Sequence, residues 1–262
     1  DSSFILLDMN HTLWQSCPWS NLRVENDSTL VGYKLVKGWG PERHVYFTAV
    51  FSKPFRDFGI MQDTIPVKYN TNRFRSSLEA WGKDLRFWMR FPTRQGEMVT
   101  VKTAVSAVSS DGAKLNMQEL EGKTFASLKA EGEKLWEGQL SKFKIEATPE
   151  QRETFYTSVY HAFLHPFIFQ DADGKFRELD KNIGQAEGFT NYTVFSLWDT
   201  YRALHPLFNL VQREINVDIV NSMLAHYDKS VEHMLPVWSF YGNETWCMIG
   251  YHAVSVIADA IM

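Results

Sequence analysis

Two short stretches of this chain combine a carboxylate with aromatic and amide side chains. In residues 241–252 the acid Glu244 follows Asn243 and stands among three large aromatic residues, a hydroxyl and an imidazole. Earlier in the chain, Asp199 directly follows Trp198. A sugar ring offers apolar C–H faces that stack on aromatic rings, and hydroxyl groups that hydrogen-bond to carboxylates and amides. The two stretches therefore predict a carbohydrate-processing site, with Glu244 as the candidate catalytic acid.

A purely structural explanation of the same residues is also available. Asn243 is a good helix cap, and a helix is expected to begin near Glu244, whose charge the positive end of the helix would favour. That effect opposes catalysis, because a general acid must hold its proton until the reaction needs it. An aspartate at a helix start beside a core tryptophan equally explains Trp198 and Asp199. The residues alone leave both interpretations open.

Other motifs carry less chemistry. His161 and His165 have the spacing of a zinc pair, but Ala162 stands where a metalloprotease has its glutamate, so packed or surface histidines are favoured. The run Asp171-Ala172-Asp173-Gly174 resembles the start of a calcium loop without its later ligands, which favours a hairpin turn. No nucleophile elbow, phosphate-binding loop or dinucleotide fingerprint is present in the sequence.

Composition limits the classes of partner. The 262 residues are 44% hydrophobic with a net charge of −4, enough for a sizeable core and without the basic patches that bind nucleic acid. No apolar run reaches the roughly 18–20 residues that span a bilayer. Asp1-Ser2-Ser3 lacks the basic start of a leader, and Cys17 and Cys247 are expected to be buried free thiols. Because the chain opens on a strand-like run and stops in a helical pattern, we expect a piece of a longer protein.

Hydrophobic periodicity divides the chain near residue 115. Before it, alternating or β-rich runs predict strands at 31–37, 44–52, 85–91 and 97–109, the last with Val101 and Val105 on one face and ending at a turn from Ser110. After it, helices are expected within 125–140, from Thr148 to His165, over 217–227, and from Glu244 onward. Thr148 begins a capping box with Pro149 at the first helical position. We predict a β domain over 1–115, a linker helix in 116–147 and a helical domain over 148–262.

Taken together, a series of segments resembles glycoside hydrolase family 92, the calcium-dependent exo-acting α-mannosidases. The segments occur in family order across nearly the whole chain. They are residues 31–39 (VGYKLVKGW), 44–47 (HVYF), 155–161 (FYTSVYH), 171–177 (DADGKFR), 195–206 (FSLWDTYRALHP), 243–245 (NET) and 248–252 (MIGYH).

The resemblance implies an antiparallel β-sandwich followed by the first helices of an (α/α)6 barrel. It implies inverting hydrolysis of terminal α-linked mannose, such as α-1,2, from mannans or N-glycans, with Glu244 as general acid. Trp198, Asp199 and Asn243 are then expected to bind the substrate. The partner is a mannose-containing glycan, and the location is extracytoplasmic: periplasmic, cell-surface or secreted.

The family pattern is longer than this chain. The catalytic base and the Ca2+ ligands are expected beyond Met262, and an early N-terminal stretch is missing as well. No residue here is therefore assigned to the metal, and this fragment alone is expected to be inactive. Two alternatives stay open: a non-catalytic carbohydrate-binding protein on the same fold, and an α/α-barrel glycosidase with another sugar specificity. The sequence gives no prediction of the oligomeric state.

Overall fold

A computed structural model describes residues 1–66 and 79–262. The chain forms two compact units. The first comprises Asp1–Glu119 and Gln170–Arg177, and the second comprises Leu120–Phe169 and Glu178–Met262. The division at about residue 120 lies near the predicted change of character, whereas the predicted boundaries at 115 and 147 stay predictions. The segment 170–177 belongs to the first unit although helices of the second unit precede and follow it along the chain.

The first unit is built from two antiparallel sheets. Its strands are β1 (Ser2–Asp8), β2 (Ser16–Asn26), β3 (Thr29–Lys37), β4 (Arg43–Phe51), β5 (Asp57–Gln62), β6 (Ile65–Pro66), β7 (Glu79–Gly82), β8 (Leu85–Pro92) and β9 (Val101–Ser106). One sheet has the order β1-β8-β5-β6 and the other the order β7-β2-β3-β4-β9. The predicted antiparallel sheet domain is confirmed.

The core of the first unit lies between these sheets. Alternate residues of β8 are almost completely buried, among them Phe87, Met89 and Phe91, and β2 and β3 contribute Leu22 and Leu30 from the other sheet. This is the period of two expected for strands with one face in a core. Burying side chains of this size stabilises the fold by about 1.5–3 kcal/mol each.

The predicted alternation of β9 is present, and its valine face is the exposed one. Val101 and Val105 are 49% and 62% exposed, whereas Ser106 on the opposite face is 5% exposed. β9 is an edge strand of its sheet, and helix α1 (Ser110–Met117) contacts it. The predicted turn at Ser110 is instead the start of α1, because the Ser109 side chain accepts from the N–H of Gly112 and caps the helix.

The second unit is largely helical. Its helices are α2 (Phe125–Leu140), α3 (Pro149–Ala162), α4 (Leu197–Thr200), α5 (Leu204–Val211), α6 (Arg213–Lys229) and α7 (Ala253–Ile261). Its short strands are β10 (Phe167–Ile168), β12 (Ile183–Gln185) and β13 (Tyr192–Thr193), whereas β11 (Lys175–Arg177) lies in the segment that belongs to the first unit. The predicted capping box is present, since the side chains of Thr148 and Gln151 each accept from the other's backbone N–H. A sheet domain followed by helices is thus the observed order.

Helices α5, α6 and α7 form the core of the second unit. Their buried members include Phe208 from α5, Ile219 and Met223 from α6, and Val256 from α7. Phe195 and Leu197 from the loop and helix before α5 join the same cluster. This core supports the segment that carries Trp198 and Asp199.

The last helix begins nine residues later than predicted, at Ala253 rather than near Glu244. A hairpin occupies the intervening segment. The backbone groups of Phe240 and Asn243 exchange two hydrogen bonds, and the two residues between them, Tyr241 and Gly242, have φ of +50° and +71°. Positive φ at both central positions is typical of a tight type I′ hairpin turn, which cannot continue into a helix.

Two further features concern the described residues as a whole. No helix among them has the length and hydropathy to cross a lipid bilayer. Both cysteines are free, and Cys17 is buried as predicted, but Cys247 is exposed because it lies in the loop between the hairpin and α7 rather than in a helix.

Candidate active site

Glu244 lies in the hairpin of residues 237–246, and its carboxylate is surrounded by backbone donors. Oε1 accepts from the N–H groups of Trp238 at 2.9 Å and Trp246 at 3.0 Å, and Oε2 accepts from Val237 at 2.9 Å. The side chain is only 6% exposed. The two carboxyl oxygens thus accept three backbone hydrogen bonds in a buried place.

A histidine of α6 completes this environment. Nε2 of His226 lies 3.5 Å from Oε2 of Glu244, and its side chain is 9% exposed. Burial lowers the pKa of His226 to about 4. The imidazole is therefore neutral at ordinary pH, so the contact is one between a neutral ring and a carboxylate.

These contacts bear on the predicted acid role. A general acid must reach the leaving oxygen, whereas three backbone N–H groups hold the Glu244 carboxyl turned toward its own hairpin. The assignment of Glu244 as general acid stays a prediction. What the geometry adds is a structural role, because one carboxylate fixes both ends of the hairpin.

Asn243 is also engaged within the protein. It is 2% exposed, and its Nδ2 donates to the backbone oxygens of Phe240 and Tyr241 at 3.1 Å each. Its Oδ1 accepts from Nζ of Lys181 at 2.6 Å, and the same ammonium donates to the Gly242 oxygen at 2.5 Å. Asn243 therefore stabilises the turn rather than capping a helix. Its predicted contact with substrate stays a prediction.

Trp198 and Asp199 lie on the short helix α4 and remain accessible. The Trp198 side chain is 41% exposed, and Asp199 is exposed, with one carboxylate oxygen accepting from the Ser196 hydroxyl. The ring of His252 is stacked on Tyr201 with centroids 4.1 Å apart and tilted against Trp198 at 5.6 Å. The two motifs that the sequence singled out thus meet in the folded chain, through His252 and the α4 segment.

A cavity of about 410 Å³ lies beside α4 and the hairpin. Trp238 of the hairpin lines it, together with Ser196 and Thr200 at the two ends of α4. The remaining lining comes from α3, from the segment before α4, and from α5: His161, Ala162, His165, Pro166, Val194, Phe195, Leu204 and His205. The lining is mostly apolar with a few polar groups, which is the character of a small-molecule site.

Metal ligands do not converge in the described part of the chain. Within residues 1–66 and 79–262, no group of three or more His, Cys, Asp and Glu side chains has an arrangement that could hold a metal ion. Asp171, considered above as a calcium-loop aspartate, is 3% exposed and accepts from Ser106 at 2.6 Å and Asn116 at 2.8 Å. The Asp171 carboxylate is therefore engaged within the first unit, and the location of the calcium ligands beyond Met262 stays a prediction.

His205 and His226 are not among the site residues predicted from the sequence. Each is a single histidine within a helix of mixed or apolar composition, which is more often a packed core residue than a functional one. Their partners, Asn216 and Glu244, lie 11 and 18 positions away along the chain. No local spacing marks such pairs, so only the folded structure identifies them.

The chain is similar to one family of glycosidases along nearly its full length. Residues 1–106 match the profile of the glycosyl hydrolase family 92 N-terminal domain, and residues 112–262 match that of the family's catalytic domain. No curated protein sequence matches the chain significantly.

Solved structures support the same grouping. The family GH92 α-mannosidase BT3965 from Bacteroides thetaiotaomicron is 72% identical with a TM-score of 0.96, over 100% of this chain and 35% of that one. The same protein in complex with mannoimidazole matches equally well, over 34% of its chain. The family GH92 inverting mannosidase BT2199 from the same species has 24% identity and a TM-score of 0.79, over 99% and 34% of the two chains. The chain thus spans about a third of the length of these solved relatives.

Proposed function

Because this chain belongs to glycosyl hydrolase family 92, we propose that the complete protein hydrolyses terminal α-linked mannose from mannans or N-glycans. The observation that carries the proposal is the contact of Trp198, next to Asp199 on α4, with His252 of the 241–252 segment, beside a cavity of small-molecule size. A 72% identical relative is an α-mannosidase that was solved with mannoimidazole, a ligand of mannose-like shape. This similarity supports mannose as the sugar.

We propose that the reaction inverts the anomeric carbon and is assisted by calcium. In an inverting glycosidase one carboxylic acid protonates the leaving oxygen, and a second carboxylate, roughly 6.5–9.5 Å away, activates the attacking water. The base and the calcium ligands are expected in the part of the complete protein that this chain does not include. A calcium ion would supply polarisation of the sugar hydroxyls.

Trp198 and Asp199 are the proposed contacts to the mannose ring. The exposed part of the Trp198 indole offers an apolar surface for the C–H face of the sugar, and the Asp199 carboxylate accepts from hydroxyls. The Ser196 hydroxyl fixes one Asp199 oxygen and leaves the other for a ligand. Asn243 contributes by holding the turn of the hairpin that carries Glu244.

Glu244 has two candidate roles in this proposal. The first is the general acid that the family resemblance predicts. The second is a fixed carboxylate that sets the hairpin and thereby the position of Trp238 in the cavity wall, and three backbone N–H contacts favour it. Replacing the carboxyl separates the roles, because loss of a proton donor harms poor leaving groups most, whereas a displaced hairpin harms all substrates alike.

The test of the proposed function is activity of the complete protein on a panel of aryl glycosides and on α-1,2-mannobiose. We expect release of mannose from α-mannosides, loss of activity with a calcium chelator, and recovery on adding Ca2+. Binding of mannan without hydrolysis would favour a non-catalytic carbohydrate-binding protein. Cleavage of another aryl glycoside in preference to the mannoside would favour an α/α-barrel glycosidase of other specificity.

We also propose that the complete protein acts outside the cytoplasm, on glycans at the cell surface or in the periplasm, or after secretion. Polymeric mannans are found outside cells, so this location follows from the proposed substrate. Fractionation of cells that produce the protein tests it, and recovery of the protein with the cytoplasmic fraction would contradict it.

A further inference from the structure

A chain of side-chain hydrogen bonds leads from the last helix to the cavity. Oδ2 of Asp259 in α7 accepts from Nδ2 of Asn209 in α5 at 2.7 Å. Oδ1 of Asn209 accepts from Nδ2 of Asn216 in α6 at 2.5 Å. Oδ1 of Asn216 is 3.0 Å from Nδ1 of His205, which is one of the residues that line the cavity. Asn216 is fully buried, and His205 is 2% exposed.

The donor and acceptor of each hydrogen bond in this series follow from its first member, Asp259. A carboxylate only accepts, so Asp259 requires the amide nitrogen of Asn209 to face it. The Asn209 oxygen then accepts from Asn216, and the Asn216 oxygen is left to face His205. That oxygen needs a donor, so Nδ1 of His205 carries the proton. The neutral ring therefore presents Nε2 as a bare acceptor.

Nε2 of His205 is free and reachable within the described residues. No side chain or backbone group of residues 1–66 and 79–262 hydrogen-bonds to it. Among the described residues, two side-chain polar atoms are fully buried and have no hydrogen-bond partner: Oγ1 of Thr48 and Nε2 of His252. Nε2 of His205 is not one of these atoms, so it is accessible to a small probe. His205 is one of the residues that line the cavity. Burial lowers the pKa of His205, which keeps the ring neutral and the acceptor present.

The other residues that line the cavity limit the kind of ligand that can bind to this acceptor. Ser196 and Thr200 supply hydroxyl groups, and Trp238 and Phe195 supply apolar surface. No lysine, arginine or carboxylate residue lines the cavity, and its titratable lining groups are the imidazoles of His161, His165 and His205. Its volume of about 410 Å³ lies in the range of small-molecule sites, roughly 300–1,000 Å³. Apolar walls with imidazole and hydroxyl groups, and without lysine, arginine or carboxylate, suit a neutral molecule with C–H faces and hydroxyl groups.

We propose that this cavity binds one ring of a neutral sugar, and that Nε2 of His205 accepts a hydrogen bond from one of its hydroxyl groups. Asn216, Asn209 and Asp259 are positioning residues, since they act by fixing the tautomer and orientation of His205. The identification of the sugar as mannose rests on the proposed function. The acceptor site itself rests only on the contacts within the second unit.

The test uses the complete protein with mannose and its monodeoxy analogues as ligands, measured as inhibition constants and by ligand-observed NMR. Wild type is expected to bind one of the monodeoxy sugars about 10-fold more weakly than mannose. His205→Leu removes the acceptor, so it should bind mannose about 10-fold more weakly and no longer distinguish that analogue. His205→Gln retains an amide donor for Asn216 and an oxygen for the cavity, and it should recover most of the difference.

Asp259→Asn tests the positioning chain without removing His205. Asparagine can donate as well as accept, so the bond directions can reverse and leave Nε2 of His205 protonated. This nearly isosteric variant should weaken discrimination between mannose and the deoxy sugar while the thermal unfolding midpoint changes little. His233→Ala, at an exposed histidine, is the matched control.

Two results separate this inference from the proposed function. Wild-type protein that cleaves α-mannosides, with folded His205→Leu and Asp259→Asn variants that bind mannose and its analogues as wild type does, would overturn the inference alone. Wild-type protein without mannosidase activity would overturn the proposed function. The acceptor site would then still be judged by whether His205→Leu abolishes NMR-detected binding of any neutral hexose from the same panel.

Discussion

Replacing Glu244 by glutamine removes one acceptor from a site that has three backbone donors. The remaining oxygen can still accept from Trp238 and Trp246, but the amide nitrogen takes the place of Oε2 and faces the N–H of Val237. A buried donor without an acceptor costs roughly 1–3 kcal/mol, and loss of the charge weakens the two remaining bonds. We expect the second unit to lose roughly 2–4 kcal/mol of unfolding free energy.

The assay combines stability with leaving-group dependence. Unfolding of the complete protein is followed in urea, and kcat/KM is measured on α-1,2-mannobiose and on a mannoside with a strongly acidic phenol as leaving group. The contacts favour the anchoring role, so we expect similar rate losses on both substrates together with the stability loss. Glu187→Gln, at an exposed glutamate of the same unit, should leave both properties unchanged.

The opposite pattern would refute this reasoning. If Glu244→Gln keeps wild-type stability but loses roughly 10²–10⁴-fold on mannobiose and much less on the activated substrate, Glu244 is the proton donor. The hydrogen bonds seen around its carboxylate would then have to be broken when substrate binds.

Three further perturbations test other parts of the account. Gly112→Ala would place a Cβ 2.1 Å from Oδ2 of Asp171 and should lower the free energy of unfolding by roughly 1–3 kcal/mol. In Gly132→Ala the new Cβ meets nothing within 4 Å, and the variant should gain up to about 1 kcal/mol. The opposite order of the two variants in urea unfolding would contradict the structure. The pKa of His226 is about 4 in the folded protein and 6.5 in the unfolded chain. The buried neutral ring therefore stabilises the folded state fully above pH 6.5, and this stabilisation, roughly 3 kcal/mol in all, is lost as the pH falls toward 4. His226→Gln should reduce that acid dependence in urea titrations, and an unchanged slope would refute the assignment. Trp198→Ala should raise KM for mannosides at least several-fold without lowering the unfolding midpoint, and an unchanged KM would remove Trp198 from the sugar site.

Local signals in the sequence predicted the regular elements well. The capping box at Thr148 involves side chain and backbone only three residues apart, so it needs nothing beyond the local sequence. The strands β3 and β4 are equally local, because β-branched and aromatic residues between turn signals favour extended backbone. These elements were found within one or two residues of their predicted starts.

Long-range contacts decided what the sequence could not predict. The helix expected at Glu244 is replaced by a hairpin, because the carboxylate binds N–H groups of residues 237 and 238 as well as 246. A capping residue followed by an acid is compatible with both structures, and only the positive φ at Tyr241 and Gly242 separates them. Similarly, the alternation of β9 predicted two faces but not which face α1 contacts.

The candidate site shows the same division. Trp198, Asp199 and Glu244 were recognised from residue types that suit sugar chemistry, and the fold brings their segments together through His252. The acceptor chain from Asp259 to His205 has no counterpart in local sequence, because its four members come from three helices. Each member looks like an ordinary polar residue until the helices pack.

The most direct test of the central claim is the anomeric form of the first product. The complete protein, with Ca2+ present, is mixed with an α-mannoside, and proton NMR spectra are recorded within minutes. The account predicts that β-mannose appears first and converts to the α-anomer at the slow rate of free mannose. Release of α-mannose first, or no release of mannose at all, would contradict it.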